Sequence, residues 1–417
     1  MLDKRNIISV VGLGYVGLPM AAIIASRGYN VVGVDVSAAV VERTNTGVSH
    51  ILEPDLDIVV RSTTSAGMLR AQLTPEPADA FIIAVPTPTC SDHAPDLRAL
   101  ESALASVAPV LKKGDLIVIE STAPVGTTVR AVRQLETLRP DLTFPLQMPN
   151  CSDVQVAYCP ERILPGQTLR ELTDNARIIG GADQRSAERA RELYGIFVKG
   201  EMVLTDAASA EMSKLAENAF RDVNIAYANE LSVICHRLDV DPWKVIELAN
   251  LHPRVGILSP GPGVGGHCIP VDPWFIVHSA PEYAKLIRCA REVNETKTTF
   301  VLERIIDKTK RMIEPVVALL GLTYKPNVDD LRESPAIALA EQLVKYPKIT
   351  LLAVEPHITA LPASLQQSKR LTLTPLKEAL QVADIVVVLV MHNAFKAIEA
   401  SALSEKIVID TVGLVRR

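Results

Sequence analysis

No stretch of this sequence is apolar for long enough to cross a bilayer, which takes about 20 residues. Its longest apolar runs, such as Phe81 to Val85 and Ile385 to Met391, are strand-sized. Lys4 and Arg5 are followed by Gly12 and Gly14 rather than by an unbroken apolar segment and a small-residue cleavage site. No signal peptide and no membrane partner are therefore expected. Basic excess is missing too. Lys plus Arg number 43 against 48 Asp plus Glu, a net charge of −5. That excludes a chain-wide nucleic-acid surface and leaves room for local phosphate-binding clusters. The six cysteines (90, 151, 159, 235, 268 and 289) form no C-x-x-C and no Cys/His set at zinc spacing. No metal site is expected, and reduced thiols suit the cytoplasm. Low-complexity tracts and short repeats are absent as well.

What is present is ordinary globular composition, 48% hydrophobic and 22% charged, over 417 residues. Disorder is excluded, and two or three domains are expected. Ile7 to Leu13 is an apolar strand running into a glycine-rich turn, and Val316 to Leu322 echoes it late in the chain. Strand-like runs follow the first at Val31 to Val36, Ala80 to Val85 and Leu116 to Glu120. They follow the second at Thr350 to Val354, Ile385 to Val390 and Ile407 to Thr411. Short buried strands alternating with helices predict doubly wound parallel sheets. Between them, Ala207 to Leu238 repeats small and apolar residues at three- and four-residue steps: Met212, Leu215, Ala219, Val223, Ala226, Leu231 and Ile234. Pro242 suits the first turn of a further helix, and helical pattern resumes from about Ala280 toward Lys310. The expected fold is α/β, with Rossmann-like domains at 1–205 and 306–417 joined by a long helical connector at 206–305. The connector is long enough to serve as a homodimer interface.

Gly12-Leu-Gly14-Tyr15-Val16-Gly17 is a G-x-G-x-x-G between a strand and a helical pattern. Such glycines allow a tight turn, close approach of backbone to a pyrophosphate, and close strand–helix packing. The helix N-terminus attracts the phosphates. Asp35 ends the next strand, 18 residues after Gly17. A carboxylate there binds a ribose 2′-hydroxyl and repels a 2′-phosphate, which favours NAD over NADP. Thr87 and Ser121-Thr122 end later strands, where ligands bind in open α/β sheets, or where loop hydroxyls simply face water.

Glu211, Lys214, Asn218, Arg221 and Ile225 share one helical face. A lysine, an amide and an arginine on one stripe form either a site, with a desolvated lysine holding an oxyanion, or a solvated face with a Glu–Lys pair. Cys268 closes the run Gly261-Pro-Gly263-Val-Gly265-Gly266-His267-Cys268. A thiol on such a loop is more open than a core cysteine, and backbone amides can stabilise its thiolate, so Cys268 is the candidate nucleophile. Cys151, Cys235 and Cys289 are read as inert buried cysteines, and Cys159, in a strand-like run, as structural. His267 is adjacent, and Asp272 lies four residues on, able to orient the lysine or a water. Glu161-Arg162 follows Cys159-Pro160 as a water-activating carboxylate with a phosphate-binding arginine, or as a surface ion pair.

Together these residues resemble the UDP-glucose/GDP-mannose dehydrogenase family over essentially the whole chain. The matching motifs are GLGYVGLPMA (12–21), VPTPT (85–89), ESTAPVGTT (120–128), YCPERILPG (158–166), EMSKLAENAFRDVNIAYANE (211–230), GPGVGGHCIPVDP (261–273) and GLTYKPNVDDLRESP (321–335). His252-Pro-Arg254-Val255, Arg221-Asp-Val-Asn224 and Asp272-Pro-Trp274-Phe275 are most similar to the branch acting on UDP-N-acetyl-D-mannosamine. The resemblance implies NAD-dependent, two-step oxidation of a sugar C6 alcohol to a carboxylate, feeding cell-surface polysaccharide. It implies Cys268 as the nucleophile that forms a thiohemiacetal and then a thioester, Lys214 as the catalytic lysine and Asn218 as oxyanion support. Glu161, Thr122 and Asp272 would manage water and protons. Gly12, Gly14, Tyr15, Val16, Gly17, Asp35, Thr87, Thr122 and Arg332 would contact NAD. Arg162, Ile163, Lys214, Asn218, Arg221, His252, Arg254, Gly265, Tyr324 and Lys325 would contact the nucleotide sugar. Sibling activities on UDP-N-acetylglucosamine, UDP-glucose or GDP-mannose share these motifs. A β-hydroxyacid dehydrogenase shares the glycine turn and a K-x-x-x-N helix but needs neither Cys268 nor a second α/β domain. A non-catalytic NAD-binding module would not require the intact catalytic set.

Overall fold

The computed structural model describes residues 3–51, 53–163 and 166–415; Leu164 and Pro165 of the YCPERILPG motif lie outside the described residues. Two compact units divide the chain between Glu217 and Asn218.

The first unit is built on eight strands: β1 Ile7–Val11, β2 Asn30–Val34, β3 Leu69–Gln72, β4 Ala80–Ile83, β5 Leu116–Ile119, β6 Gln155–Tyr158, β7 Arg177–Gly181 and β8 Met202–Asp206. Their order is β3-β2-β1-β4-β5-β6-β7-β8. β4, β5 and β6 are buried at every position. The reason is cover on both faces. Helices Gly17–Ser26, Leu56–Ser65 and Gln184–Tyr194 pack on one side, and Arg98–Val107 and Thr127–Leu138 on the other. A strand covered twice has no polar face, so β4 and β5 read as apolar runs, and in β6 the buried amide of Gln155 donates to Ser152 O. Each fully buried Val, Ile or Leu stabilises the unit by about 1.5–3 kcal/mol.

One strand departs from the parallel expectation: β7 runs antiparallel to β6. Among the described residues the one helix between them, Thr168–Asp174, has seven residues. At about 1.5 Å per residue it is shorter than a strand and does not carry the chain back along the sheet. The next helix, Gln184–Tyr194, has eleven residues, and β8 is parallel to β7 again.

The second unit carries β9 Val316–Leu320, β10 Thr350–Val354, β11 Leu371–Leu373, β12 Ile385–Val388 and β13 Ile407–Asp410, in the order β11-β10-β9-β12-β13, all parallel. The echo in the sequence is an echo in geometry. β9 aligns with β10 and β12 as β1 does with β2 and β4, with Val11 opposite Val34 and Ile83, and Leu320 opposite Val354 and Val388. Gly12 and Gly321 both have φ +92°, a left-handed conformation that glycine adopts without strain. Gly12 donates its N–H to Val34 O at 2.8 Å, and Gly321 to Val354 O at 2.9 Å. The next residue's N–H goes to the acid ending the second strand. Leu13 donates to Asp35 Oδ2 at 2.9 Å and Leu322 to Glu355 Oε2 at 2.7 Å.

The helix Ala207–Arg237 follows β8 directly. Pro242–Ala249 is capped by Asp241, which accepts from the N–H groups of Trp243 and Lys244, with proline in its first turn. Asp272–Ser279 and Lys285–Thr309 follow. Of the expected apolar face on the long helix, Leu215, Ala219 and Ala226 are buried, but Met212 and Ile234 are exposed. The periodicity therefore covers two stripes, only one of them core. Two cysteine expectations also fail. Cys151 and Cys289 are exposed, whereas Cys159 and Cys235 are buried. Cys151 sits in a turn, and Cys289 lies on the outer face of its helix, beside buried Ala290 and Arg291.

Candidate active site

In the first unit the glycine turn and Asp35 form one hydrogen-bonded piece. Asp35 accepts from Leu13 N–H through one oxygen and from Ser37 N–H at 2.9 Å through the other. A Cβ on Gly12 would lie 2.5 Å from Ala84 O, so the turn admits only glycine there. A Cβ on Gly14 would meet nothing within 4 Å. That open side is the cradle a pyrophosphate needs, at the N-terminus of helix Gly17–Ser26, and the residues present fit NAD. Tyr15 stands exposed at its edge and Val16 is half-buried. The loops after β4 and β5 are laced together. Thr87 Oγ1 donates to Thr122 O at 2.6 Å, and Ser121 Oγ to Val85 O at 2.7 Å.

Lys214 is 6% exposed. Its Nζ donates to Glu161 O at 2.7 Å and to Glu161 Oε1 at 3.0 Å. Glu161 Oε2 accepts from Ile163 N–H. The lysine therefore pairs across the fold and not with Glu211 on its own helix. Both Glu211 oxygens cap the helix Thr127–Leu138, accepting from the N–H groups of Gly126 and Thr128 and from Thr128 Oγ1. Arg162 is held by Glu217 at 2.8 Å and by Ala176 O at 3.1 Å.

A buried pair that the sequence did not reveal lies at the end of β5. Glu120 and Arg177 meet at 2.9 Å with side chains 0% and 1% exposed. Burial pushes the Glu120 carboxyl up to about 7 against the pull of Arg177, and burial pushes the neighbouring Cys159 thiol up to about 12. Glu120→Ala is expected to destabilise the protein by about 3–5 kcal/mol, because it strands a buried guanidinium. Glu120→Gln should cost less. Urea unfolding midpoints of the two variants check this.

In the second unit Cys268 is half-buried, and its carbonyl accepts from Val271 N–H at 3.0 Å and Asp272 N–H at 2.8 Å. Asp272 opens the helix that follows and accepts from Asn218 Nδ2 at 2.6 Å, both residues being buried. Thus Asn218, Asp272 and the Cys268 turn are tied together. Arg221, expected on the same stripe as Asn218, is exposed. The glycine loop packs on the segment after β9. A Cβ on Gly265 would lie 2.7 Å from Glu333 O and 2.8 Å from Tyr324 Cβ, and Gly266 donates to Arg332 O. A cavity of about 340 Å³ opens here, lined by Ser259 to Gly263, Thr323, Tyr324, Pro326, Pro335 and Met391 among others. Lys325 is half-buried, and Arg332 forms a bidentate pair with Asp330. His252 and Arg254 are exposed on a loop tied by Asn224 and Asn250.

Two further networks hold this region. Asp222 takes Arg291 at 2.7 Å and Asn294 at 2.8 Å. Asn294 accepts from Asn229, and Asn229 accepts from Gly261 N–H. All four side chains are buried, and the chain of bonds ends on the loop that carries Cys268. The helical spacings 222/229 and 291/294 are the signal from which it could have been found. In the second network Glu355 accepts from Leu322 and Thr323, and His392 Nε2 lies 3.1 Å from it. His392 Nδ1 accepts from Asn327 N–H, so the neutral ring carries its proton on Nε2, facing the carboxylate. With His357 these atoms lie within 4.8 Å of one another, and His392 Nδ1 and both Glu355 oxygens already accept from backbone N–H groups. The Glu355–His392 pair pins the loop 322–327.

Three domain models of the UDP-glucose/GDP-mannose dehydrogenase family match this chain: the NAD binding domain at 6–198, the central domain at 208–296 and the UDP binding domain at 318–417. The chain belongs to this family. It is 55% identical over 413 residues to an NDP-N-acetyl-D-galactosaminuronic acid dehydrogenase of Ralstonia nicotianae, covering 99% of this chain and 97% of the relative. It is 51% identical over 417 residues to the UDP-N-acetyl-D-mannosamine dehydrogenase of Escherichia coli, covering 98% and 99%. A solved UDP-D-ManNAc dehydrogenase from Pyrococcus horikoshii superposes with a TM-score of 0.88 at 38% identity, covering 99% of this chain and 96% of that one. The protein is an NAD-dependent nucleotide-sugar 6-dehydrogenase. As in its relatives, NAD is the cofactor, and when bound it supplies the hydride acceptor. If Asp35 accepts from the ribose, Asp35→Ala is expected to raise the KM for NAD about tenfold or more. It should narrow the preference for NAD over NADP, which steady-state rates with both cofactors measure.

Proposed function

We propose that this enzyme oxidises UDP-N-acetyl-D-mannosamine to UDP-N-acetyl-D-mannosaminuronate, with two NAD consumed per sugar. The observation that carries the chemistry is the turn holding a half-buried Cys268 against the Asn218–Asp272 pair. One-step alcohol oxidation has no use for a thiol. A four-electron oxidation has one, because an aldehyde gives up its second hydride readily only as an adduct, and a thiolate forms that adduct while keeping the sugar bound to the enzyme.

Lys214, desolvated and anchored on Glu161, steadies the C6 oxygen as its proton leaves and hydride departs from carbon. The Cys268 thiolate then adds to the aldehyde carbon, and the resulting thiohemiacetal oxygen takes a proton. Loss of that proton and of a second hydride leaves a thioester. Water, positioned by Glu161 or Asp272, adds to the carbonyl and expels the thiolate. The sum is one alcohol, one water and two NAD giving one carboxylate, two NADH and three protons. Asn218 donates to the oxyanion of the adducts, and Asp272 orients that amide. The cavity beside Tyr324 and Pro326 receives the uridine diphosphate, a reading supported by the UDP-binding match over the same segment.

A second sugar is favoured by one observation: the Ralstonia relative at 55% identity bears a galactosaminuronic acid name. The two sugars differ in configuration at C2 and C4. The deciding experiment titrates limiting UDP-N-acetylmannosamine, UDP-N-acetylgalactosamine and UDP-N-acetylglucosamine to completion and reads NADH. Two NADH from the manno sugar and little from the others support the proposal; two from the galacto sugar alone replace the substrate and keep the mechanism.

The product is a nucleotide-activated uronic acid, the form that glycosyltransferases use to build polysaccharide. Free thiols throughout the described chain, with no helix among the described residues long and apolar enough to cross a membrane, support a cytoplasmic enzyme. Phe220, Tyr227 and Ile234 recur at seven-residue steps on the long helix and are 69%, 56% and 46% exposed. An apolar stripe of that kind suits a twofold partner, and we assign it to a homodimer. Phe220→Asp with Tyr227→Asp is expected to halve the mass seen by sedimentation.

A further inference from the structure

Within the second unit a larger cavity, of about 790 Å³, is lined by the helices Ala207–Arg237 and Lys285–Thr309, by Trp243 and by the end of β13. Its volume lies in the range of about 300–1,000 Å³ typical of small-molecule sites. Nothing in the proposed reaction uses it.

Its wall carries both signs, with Asp239, Asp241 and Asp410 as well as a cluster of basic side chains. Lys297, Arg304 and His236 line it, together with the aromatic rings of Trp243 and Phe300. Lys297 Nζ and Arg304 Cζ lie 5.3 and 5.8 Å from the centre of the Phe300 ring, and His236 meets that ring edge-on at 5.6 Å. Lys297 is 6% exposed and donates to Ser232 Oγ. Among the described residues no carboxylate lies within ion-pair distance of Lys297 or Arg304. The acids on the wall are committed elsewhere. Asp410 accepts from the N–H groups of Val412, Gly413 and Val415, and Asp241 caps its helix. Asp239 lies exposed at the cavity's rim.

Two desolvated cations flank one ring, and the nearest opposite charge, Asp410, acts on Arg304 from beyond ion-pair distance, so the pair is costly to hold empty. Burial pushes the Lys297 ammonium down to about 8, with Arg304 adding to the effect. Burial lowers Arg304 and His236 in the same direction. An anion between them would remove the conflict, and the flanking rings would cover a flat organic group.

We propose that this cavity is a second ligand site, separate from the nucleotide-sugar and NAD sites, that binds a phosphorylated small molecule through Lys297 and Arg304, with Trp243 and Phe300 as apolar walls.

The test is calorimetric titration of the full-length enzyme with inorganic pyrophosphate and with ATP, in saturating NAD and UDP so that those nucleotide sites are filled. Ionic strength is matched with sodium chloride. Binding of at least one probe to the unaltered enzyme is expected, with Kd raised about tenfold or more in Lys297→Met and in Arg304→Gln. Lys297→Met removes a buried unpaired charge, so it should fold at least as stably as the parent, and thermal unfolding checks both variants. ATP binding more tightly than pyrophosphate, with the gain lost in Trp243→Leu, would assign a nucleotide. Equal affinity for both would assign the phosphate groups alone as the recognised feature. No binding by either probe, or binding unchanged in both variants, overturns the proposal.

Discussion

Cys268→Ala is expected to stop acid production, with kcat for NADH formation down by roughly 10³-fold or more. The size follows from the role. Without the thiolate the aldehyde is left only its hydrate, which the enzyme does not hold covalently for the second hydride transfer, and the first step largely equilibrates. Cys268→Ser is the sharper experiment. An alkoxide forms the oxygen analogue slowly, and the ester it gives is a poorer acyl donor than a thioester, so this variant should stall with sugar attached. Mass spectrometry of intact protein after incubation with substrate and NAD would show the adduct. Full turnover to the acid by Cys268→Ala would end the covalent mechanism. One NADH per sugar from the unaltered enzyme would do so as well.

The second large effect is at Lys214. Lys214→Met is expected to lower kcat by about 10²–10³, the usual cost of losing one preorganised donor to a developing oxyanion. KM for the sugar should change little if the ammonium acts on charge that exists mainly in the transition state. The lysine also anchors Glu161, at 3.0 Å to Oε1 and 2.7 Å to the carbonyl, so a structural contribution must be separated. Glu161→Gln does this. It keeps the backbone contact and much of the side-chain shape while weakening the ion pair. If Lys214 acts on the sugar, the glutamine variant should slow thioester hydrolysis far more than the first hydride transfer, and pre-steady-state NADH formation would show a burst. If the lysine only holds Glu161 in place, the two variants should be equally slow in both phases.

The readable parts of the sequence were those set by local rules. The turn at Gly12 announces itself because a strand, a left-handed glycine and a helix start must follow one another in the chain. The same holds for Gly321, which is why the second half could be read as an echo of the first. Continuous apolar runs at Phe81 and Ile385 marked strands covered on both faces. The proline and glycine cluster before Asp272 excluded a long helix there. Strand ends were read one or two residues too long, since apolar residues such as Val85 and Leu322 continue past the last ladder bond into the turns.

Other features depended on contacts that no spacing reveals. Lys214 looked like half of a Glu–Lys pair on one helix face. The fold gives Glu211 to a helix N-terminus 83 residues away in sequence and brings Glu161 from 53 residues away to the lysine instead. Asn218 finds Asp272 across 54 residues. Arg221 shares their helical stripe and ends up in solvent, because the stripe turns outward where nothing covers it. Residue type alone favours burial for Cys151 and Cys289, which are exposed, because exposure is a property of what packs above a position. The buried network from Arg291 through Asp222, Asn294 and Asn229 to Gly261 likewise joins two helices whose pairing is tertiary.

By itself, then, the sequence determined where backbone must turn, which strands lie inside, and which cofactor chemistry suits the first turn. Those properties follow from sterics and burial over a few neighbouring residues. Tertiary structure alone decided which charges meet, which way β7 runs and which cysteines face water. Each of these is a contact between segments far apart in the chain, and its energy depends on burial that only the assembled fold provides.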